Sequence, residues 1–263
     1  MSSKIPYLNE VWNPITGCSG TGCATKETCW AREMVNRFPA IHTRFGKPEW
    51  SFSTVRFHPD RLDKPLHWRK PRRVGVCFMG DLFDEQVQDE WIWQVLEKCT
   101  LGNRRHTYFF LTKQAKRMAD WFDAHKERFW HYKQGPYIAA PWPDPCLWWG
   151  VSCCTQADVD RMVPDLLRIP GKKWISLEPM MGPIDLNQNY FDGKWWGDMI
   201  SLVIIGCHST PRRYPCKLEW VESVVEQCKA AGVPVYVKQL DIGGKCVRDI
   251  EMFPKHLQVR EMP

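Results

Sequence analysis

The stretch Val74-Gly75-Val76-Cys77-Phe78-Met79-Gly80-Asp81 decides the architecture. An uncharged apolar run that stops at a glycine and an acid reads as a strand buried on both faces, with its polar end emerging at one edge of a sheet. The pattern recurs downstream. Residues 107–111 end at Thr112-Lys113, 147–151 at Ser152-Cys153-Cys154, 174–177 at Glu178-Pro179, 202–205 at Gly206-Cys207-His208, and 233–237 at Lys238-Gln239. Residues 8–17 supply a first strand. Helical spacing fills the gaps. Ile92, Val95, Leu96 and Cys99 share one face, as do Met118, Trp121 and Phe122. Thr155 caps a helix with Asp158 three residues on, and Val159, Met162 and Val163 form its stripe until Pro164 kinks or ends it. The helix at 217–231 stops at Gly232, with Pro234 beyond.

Short apolar strands alternating with helices predict an α/β fold with parallel strands. Seven units without an eighth suggest an incomplete (β/α)6–7 TIM-like barrel, with a doubly wound sheet as the alternative. The whole chain, 1–263, reads as one domain with an irregular insertion at about 40–72. That insertion is expected to carry one short helix near 60–69 and to end in the basic run Arg69-Lys70-Pro71-Arg72-Arg73, a solvated loop or a phosphate contact. Residues 129–145 and the stretch between 177 and 202 read mainly as loop, and the tail after 245 is polar and weakly patterned.

Between the first strand and a helix at 28–38 lies Trp12-Asn-Pro-Ile-Thr-Gly-Cys18-Ser-Gly-Thr-Gly-Cys23-Ala-Thr-Lys-Glu-Thr-Cys29-Trp30-Ala31. Three thiols in one Gly- and Thr-rich loop suit a metal centre with one position left for a non-protein group. Structural zinc is one reading, with a fourth ligand from Cys153, Cys207 or His208, although the paired spacing of zinc ribbons is missing. Unligated thiols are another. A [4Fe–4S] cluster on Cys18, Cys23 and Cys29, with one iron open, fits the count best.

Composition bounds the rest. Fifteen tryptophans imply aromatic cores or pocket walls, and a net charge of +6 permits an anionic partner without requiring one. Met1-Ser-Ser-Lys-Ile-Pro has no apolar run, so no signal peptide is expected. No segment approaches the ~20 apolar residues that span a bilayer, so no membrane partner is expected either. Twelve cysteines in the resulting cytoplasmic setting are not a disulfide framework, and the scattered ones default to small buried hydrophobes.

The opening Trp12-Asn13-Pro14…Thr16-Gly17-Cys18…Cys29-Trp30-Ala31 resembles a phage-associated three-cysteine family of uncharacterised proteins. That family is similar to radical S-adenosylmethionine enzymes, especially the spore photoproduct lyase branch. The likeness continues through Phe78-Met79-Gly80-Asp81-Leu82-Phe83, Leu111-Thr112-Lys113, Gly150-Val151-Ser152, Leu177-Glu178-Pro179 and Val237-Lys238-Gln239. The chain departs from the pattern in its CxxxxC and CxxxxxC spacings, in Trp30 where a tyrosine is usual, and in Gly206-Cys207-His208-Ser209.

The resemblance implies a cluster on Cys18, Cys23 and Cys29 that reductively cleaves S-adenosylmethionine. The resulting 5′-deoxyadenosyl radical would abstract hydrogen from a nucleobase, a nucleoside, DNA or another small molecule. A flavodoxin- or ferredoxin-like one-electron reductant is the implied partner. On the same basis Asp81 takes the methionine ammonium, and Ser152 and Glu178 take the ribose hydroxyls or the amino-acid moiety. Trp30 packs near the adenine or, alternatively, on the helix core face. Lys113, Lys238 and Gln239 orient an anionic substrate or are solvated. Cys153 or Cys207 returns a hydrogen atom or is a buried thiol. The competing function is a zinc-stabilised, nucleic-acid-binding barrel without redox chemistry. A third is a barrel enzyme acting on phosphates with incidental cysteines.

Overall fold

The computed structural model describes residues 3, 5–37, 51–102, 104–132, 142–187, 190–191, 194–210 and 214–263. Its centre is an eight-stranded, mostly parallel sheet. The strands are β1 (Glu10–Trp12), β2 (Arg73–Val76), β3 (Thr107–Thr112), β4 (Leu147–Ser152), β5 (Lys172–Leu177), β6 (Leu202–Gly206), β7 (Val235–Ile242) and β8 (Lys245–Val247). They lie side by side in chain order. A doubly wound sheet reverses its strand order part-way, and this one does not. The sheet is open, with β1 and β8 at its edges. Parallel register pairs Glu10 with Val74, Arg73 with Thr107, Leu202 with Trp174 and Val203 with Val235. Within this sheet the β7–β8 hairpin is antiparallel.

The chain sorts into two compact units, residues 1–149 and 150–263, and the boundary falls inside β4. The first unit holds α1 (Trp30–Arg37), α2 (Asp89–Glu97), α3 (Ala115–Ala124) and α4 (Lys126–Tyr132). Its core is aromatic. Phe110 stacks on Trp149 at 4.4 Å, and Trp121 lies 4.8 Å from Trp93 and 6.1 Å from Phe83. The second unit holds α5 (Gln156–Arg168) and α6 (Leu218–Ala231). Thr155 Oγ1 accepts from Asp158 N at 3.2 Å, the expected cap. Gly232 ends α6 at φ 66°, the left-handed C-terminal position glycine favours. All of β6 is buried, as a strand covered on both faces requires.

Several expectations need correction. The first strand stops at Trp12, because Asn13-Pro14 leaves the ladder. Ile15–Thr16 instead pairs with Arg56–Phe57 in a separate ribbon. β2 ends at Val76, not Met79, because Cys77 adopts φ 59°. Pro164 does not end α5. The helix runs on to Arg168, held by its buried stripe of Val159, Met162, Val163, Leu166 and Leu167. The short helix expected near 60–69 is two single turns, Pro59–Arg61 and Lys64–His67, each opened by a proline at its start. Residues 40–50 of the expected insertion lie outside the described residues, as do 133–141 of the 129–145 loop, whose first residues belong to α4. Between β5 and β6, Tyr190–Phe191 pairs with Lys194–Trp195, and one helical turn follows at Trp196–Met199.

The polar-looking tail is folded. Phe253 and Leu257 are buried, Val237 N donates to Val259 O at 2.9 Å, and Glu261 N donates to Val235 O at 3.1 Å. Among the described residues no helix is long and apolar enough to cross a membrane.

Candidate functional site

In the first unit the cysteine loop is fastened at three points, two of them just beyond the C-terminal end of β2 and one at Phe52. The backbones of Gly17 and Gly80 meet as a parallel bridge, with Gly17 N donating to Met79 O at 2.9 Å. Both positions demand glycine. Gly17 has φ +90° and a Cβ there would stand 2.4 Å from Thr54 O, while a Cβ on Gly80 would stand 2.6 Å from Gly17 O. Cys18 N donates to Phe52 O at 2.8 Å. The third fastening is Asp84, which is fully buried. Its Oδ2 accepts from both Ser19 N and Ser19 Oγ at 2.7 Å, and its Oδ1 accepts from Gln86 N at 3.0 Å. Further along, Thr21 Oγ1 donates to Glu85 Oε1 at 2.9 Å and Gln114 Nε2 donates to Thr21 O at 2.6 Å.

The loop sets two of its three thiols against one apolar floor. Cys18, Cys29 and Met34 pack on a cluster of Ala31, Val35, Phe52 and Met79. Cys18 Sγ accepts from Gly20 N at 3.3 Å, and Cys23 Sγ lies 3.5 Å from Thr25 Oγ1. Burial pushes the Cys18 thiol well above its ordinary range. The Asp81 and Asp84 carboxylates add to this, and the Gly20 N–H only partly opposes it. Without a cation beside it Cys18 is therefore a thiol at neutral pH. A metal would reverse that balance and displace the proton.

Among the described residues no three His, Cys, Asp or Glu side chains are arranged to share one metal ion. A tetrahedral zinc draws its thiolates to about 3.8 Å of one another, given Zn–S bonds of roughly 2.3 Å. A cubane cluster places each thiolate on a different iron and so accepts a wider set.

Asp81 stands beside this loop but is spent on the scaffold. It is 5% exposed. Its Oδ1 accepts from Thr112 Oγ1 at 2.6 Å and Phe83 N at 2.9 Å, and its Oδ2 accepts from Lys113 N at 3.0 Å. Burial holds the carboxyl above the usual carboxylate range despite these three donors. Asp81 thereby ties the end of β2 to the end of β3. Trp30 is 43% exposed, so the core-face reading of its ring is set aside.

The second unit gathers the other strand-end residues. Glu178 Oε1 pairs with Lys238 Nζ and lies 3.4 Å from Gln239 Nε2, which also donates to Cys207 O at 2.6 Å. Ser152 Oγ donates to Glu178 O at 3.4 Å. Gly206 passes close over this group, since a Cβ there would stand 3.3 Å from both Gln239 and Glu178. Lys238 and Gln239 sit within β7 rather than beyond its end. The ladder shifts between Ile205 and Gly206, which pairs Gly206 with Gln239, and the Lys238 and Gln239 side chains both reach Glu178. Cys153 is fully buried, and its N–H donates to Ser176 O at 2.9 Å. Cys207 is buried as well, and its thiol is pushed up first by a hydrogen bond with Cys246 and then by burial. His208 Nδ1 lies 3.0 Å from Thr210 Oγ1.

A family model described as a protein of unknown function (DUF5131) matches residues 2–261. The chain belongs to the DUF5131 family. No curated protein and no solved structure matches it.

In this DUF5131 chain sequence reasoning passed over Asp84 and Cys246. Asp84 follows the buried pair Leu82-Phe83, and an acid placed there has to find donors inside. That signal was legible. Cys246 gave none, because its meeting with Cys207 depends on the β7–β8 hairpin.

Proposed function

We propose that this DUF5131 protein is a radical S-adenosylmethionine enzyme of the cytoplasm, built on an incomplete TIM-like barrel. In this reading Cys18, Cys23 and Cys29 hold a [4Fe–4S] cluster. The observation that carries it is the fastening of the three-thiol loop to the β2 end by Gly17, Gly80 and Asp84, with Cys18 and Cys29 on one apolar floor. When bound, such a cluster supplies the single electron that splits the sulfonium of S-adenosylmethionine and so starts hydrogen abstraction from a substrate carbon. A flavodoxin- or ferredoxin-like protein is the proposed electron source. The substrate class we favour is a nucleobase, a nucleoside or DNA, which the net charge of +6 suits.

The chain's own residues do the remaining work. Asp84 and Ser19 hold the first limb of the loop in place, and Asp81 keeps the β2 and β3 ends in register beside it. Trp30, exposed at the start of α1 next to Cys29, is available to cover an adenine. In the second unit Ser152 and Glu178 supply hydroxyl and carboxylate for a ribose or an amino acid. Lys238, sharing its charge with Glu178, supplies the group that orients an anionic substrate. Buried thiols such as Cys207 are available to return a hydrogen atom. Twelve cysteines without a disulfide suit a reducing compartment.

The test is anaerobic purification followed by iron and sulfide analysis and turnover with dithionite and S-adenosylmethionine. We expect a brown protein with about four irons and four sulfides per chain and release of 5′-deoxyadenosine. Cys29→Ala removes the chromophore and leaves the fold. A colourless protein holding stoichiometric zinc, or a chromophore retained in Cys29→Ala, overturns the proposal.

A further inference from the structure

The first unit carries a second surface, at the N-terminal ends of β2 and β3, away from the thiol loop. Arg73 pairs in register with Thr107, Thr107 N donates to Arg72 O at 2.9 Å, and Arg105 Nη1 donates to Arg69 O at 2.9 Å. His106 Nε2 lies 3.3 Å from Pro65 O. These contacts bring two basic segments, 64–73 and 104–105, side by side.

Three cations nearby are neutralised. Arg72 pairs with Glu10 at 2.8 Å, Arg104 with Asp144 at 3.3 Å, and Lys98 takes Asp63 at 2.6 Å. That leaves Lys64, Arg69, Lys70, Arg73 and Arg105. Among the described residues none of these has a carboxylate within ion-pair distance. Trp68 stands among them, with the Arg72 guanidinium 5.5 Å and the Lys64 ammonium 5.8 Å from its ring, which braces both cations. Folding alone disfavours this arrangement, because like charges gathered on one face repel.

We propose that this face binds the phosphate backbone of a nucleic acid. A single small phosphate calls for buried, convergent donors. Exposed cations drawn from two segments suit a polymer that presents many phosphates at once. β3 spans about 20 Å between this face and the thiol end, at roughly 3.3 Å per residue. The contacts therefore fall on nucleotides remote from any base presented to the thiol loop, and they carry no sequence preference. The inference does not depend on the cofactor assignment.

Fluorescence anisotropy of labelled single-stranded and duplex DNA against salt tests it. The triple variant Arg69→Ala/Lys70→Ala/Arg105→Ala should bind at least ten-fold more weakly at low salt. Its log K versus log salt slope should fall by about 2 on single strands and by about 3 on duplex. The control Lys229→Ala/Lys245→Ala/Lys255→Ala removes the same charge from exposed positions elsewhere and should bind like wild type. Because Arg105 also bonds to the chain at Arg69, Lys70→Glu alone should lower affinity and slope in the same direction without touching a backbone contact. Iron content should be unchanged in all variants, so failure here is separable from failure of the cluster. Equal losses in patch and control, absence of DNA binding by wild type, or equally tight binding of a polyglutamate peptide overturns the proposal.

Discussion

Asp81, expected from the resemblance to take the methionine ammonium, is held in the structure by scaffold donors. It follows a buried strand at the edge where a barrel gathers its chemistry, yet both oxygens are already occupied by donors from β3 and its own turn. Asparagine preserves the shape but replaces one acceptor with a donor. In either orientation that amide faces a backbone N–H or the Thr112 hydroxyl. Asp81→Asn should therefore cost about 1–3 kcal/mol, the range for an unsatisfied buried group. Thermal melting of the metal-free protein measures it, and an unchanged melting temperature would contradict the scaffold role. What was legible at this scale was that Asp81 is special. Why it is special depends on Thr112 and Lys113, some thirty residues away in sequence, and no local pattern reports that. Trp30 teaches the same lesson: helical spacing placed it on a face, and only the packed helix shows that face to be open.

At the scale of elements, the meeting of the cysteine loop with the β2 end decides whether there is a site. Helix and strand positions were largely readable, because apolar runs and 3.6-residue stripes are local properties. The Gly17–Gly80 contact was not, since both are ordinary glycines in a chain of seventeen. Gly80→Ala drives a Cβ to within 2.6 Å of Gly17 O, a backbone atom that cannot rotate away. We expect the loop to lift from its anchor. Iron incorporation should fall several-fold and Cys18 should become more reactive towards a thiol reagent, while α5 and α6 stay folded by circular dichroism. Wild-type iron content and thiol reactivity in Gly80→Ala would show that the anchor is dispensable. The misread elements have related causes. Cys77 in the left-handed region cuts β2 short, and the buried stripe of α5 outweighs the donor missing at Pro164.

At the scale of the molecule, the sheet needs its last fourteen residues. Val235 and Val237 form hydrogen bonds with Glu261 and Val259, and Arg260 lays its guanidinium 5.5 Å over Tyr236 and 5.6 Å over Phe253. Removing residues 250–263 strips two buried side chains, Phe253 and Leu257, and unpairs the β7 backbone. At roughly 1.5–3 kcal/mol per large apolar side chain, the loss of about 3–6 kcal/mol approaches the whole stability of many domains. The truncated chain should be largely insoluble, and a truncated chain that melts like the full one would contradict this account.

By itself the sequence determined the alternation of buried strands and amphipathic helices, and the presence of three thiols on one glycine-rich loop. Both follow from short-range facts, namely run length, periodicity and spacing along the chain. Only the tertiary structure decided the consecutive strand order, the choice of Asp84 as the loop's anchor, the spending of Asp81 on β3, and the meeting of segments 64–73 and 104–105 in one basic face. These are contacts between residues far apart in the chain. Their energy comes from burial and hydrogen bonding that exist only once the sheet has formed.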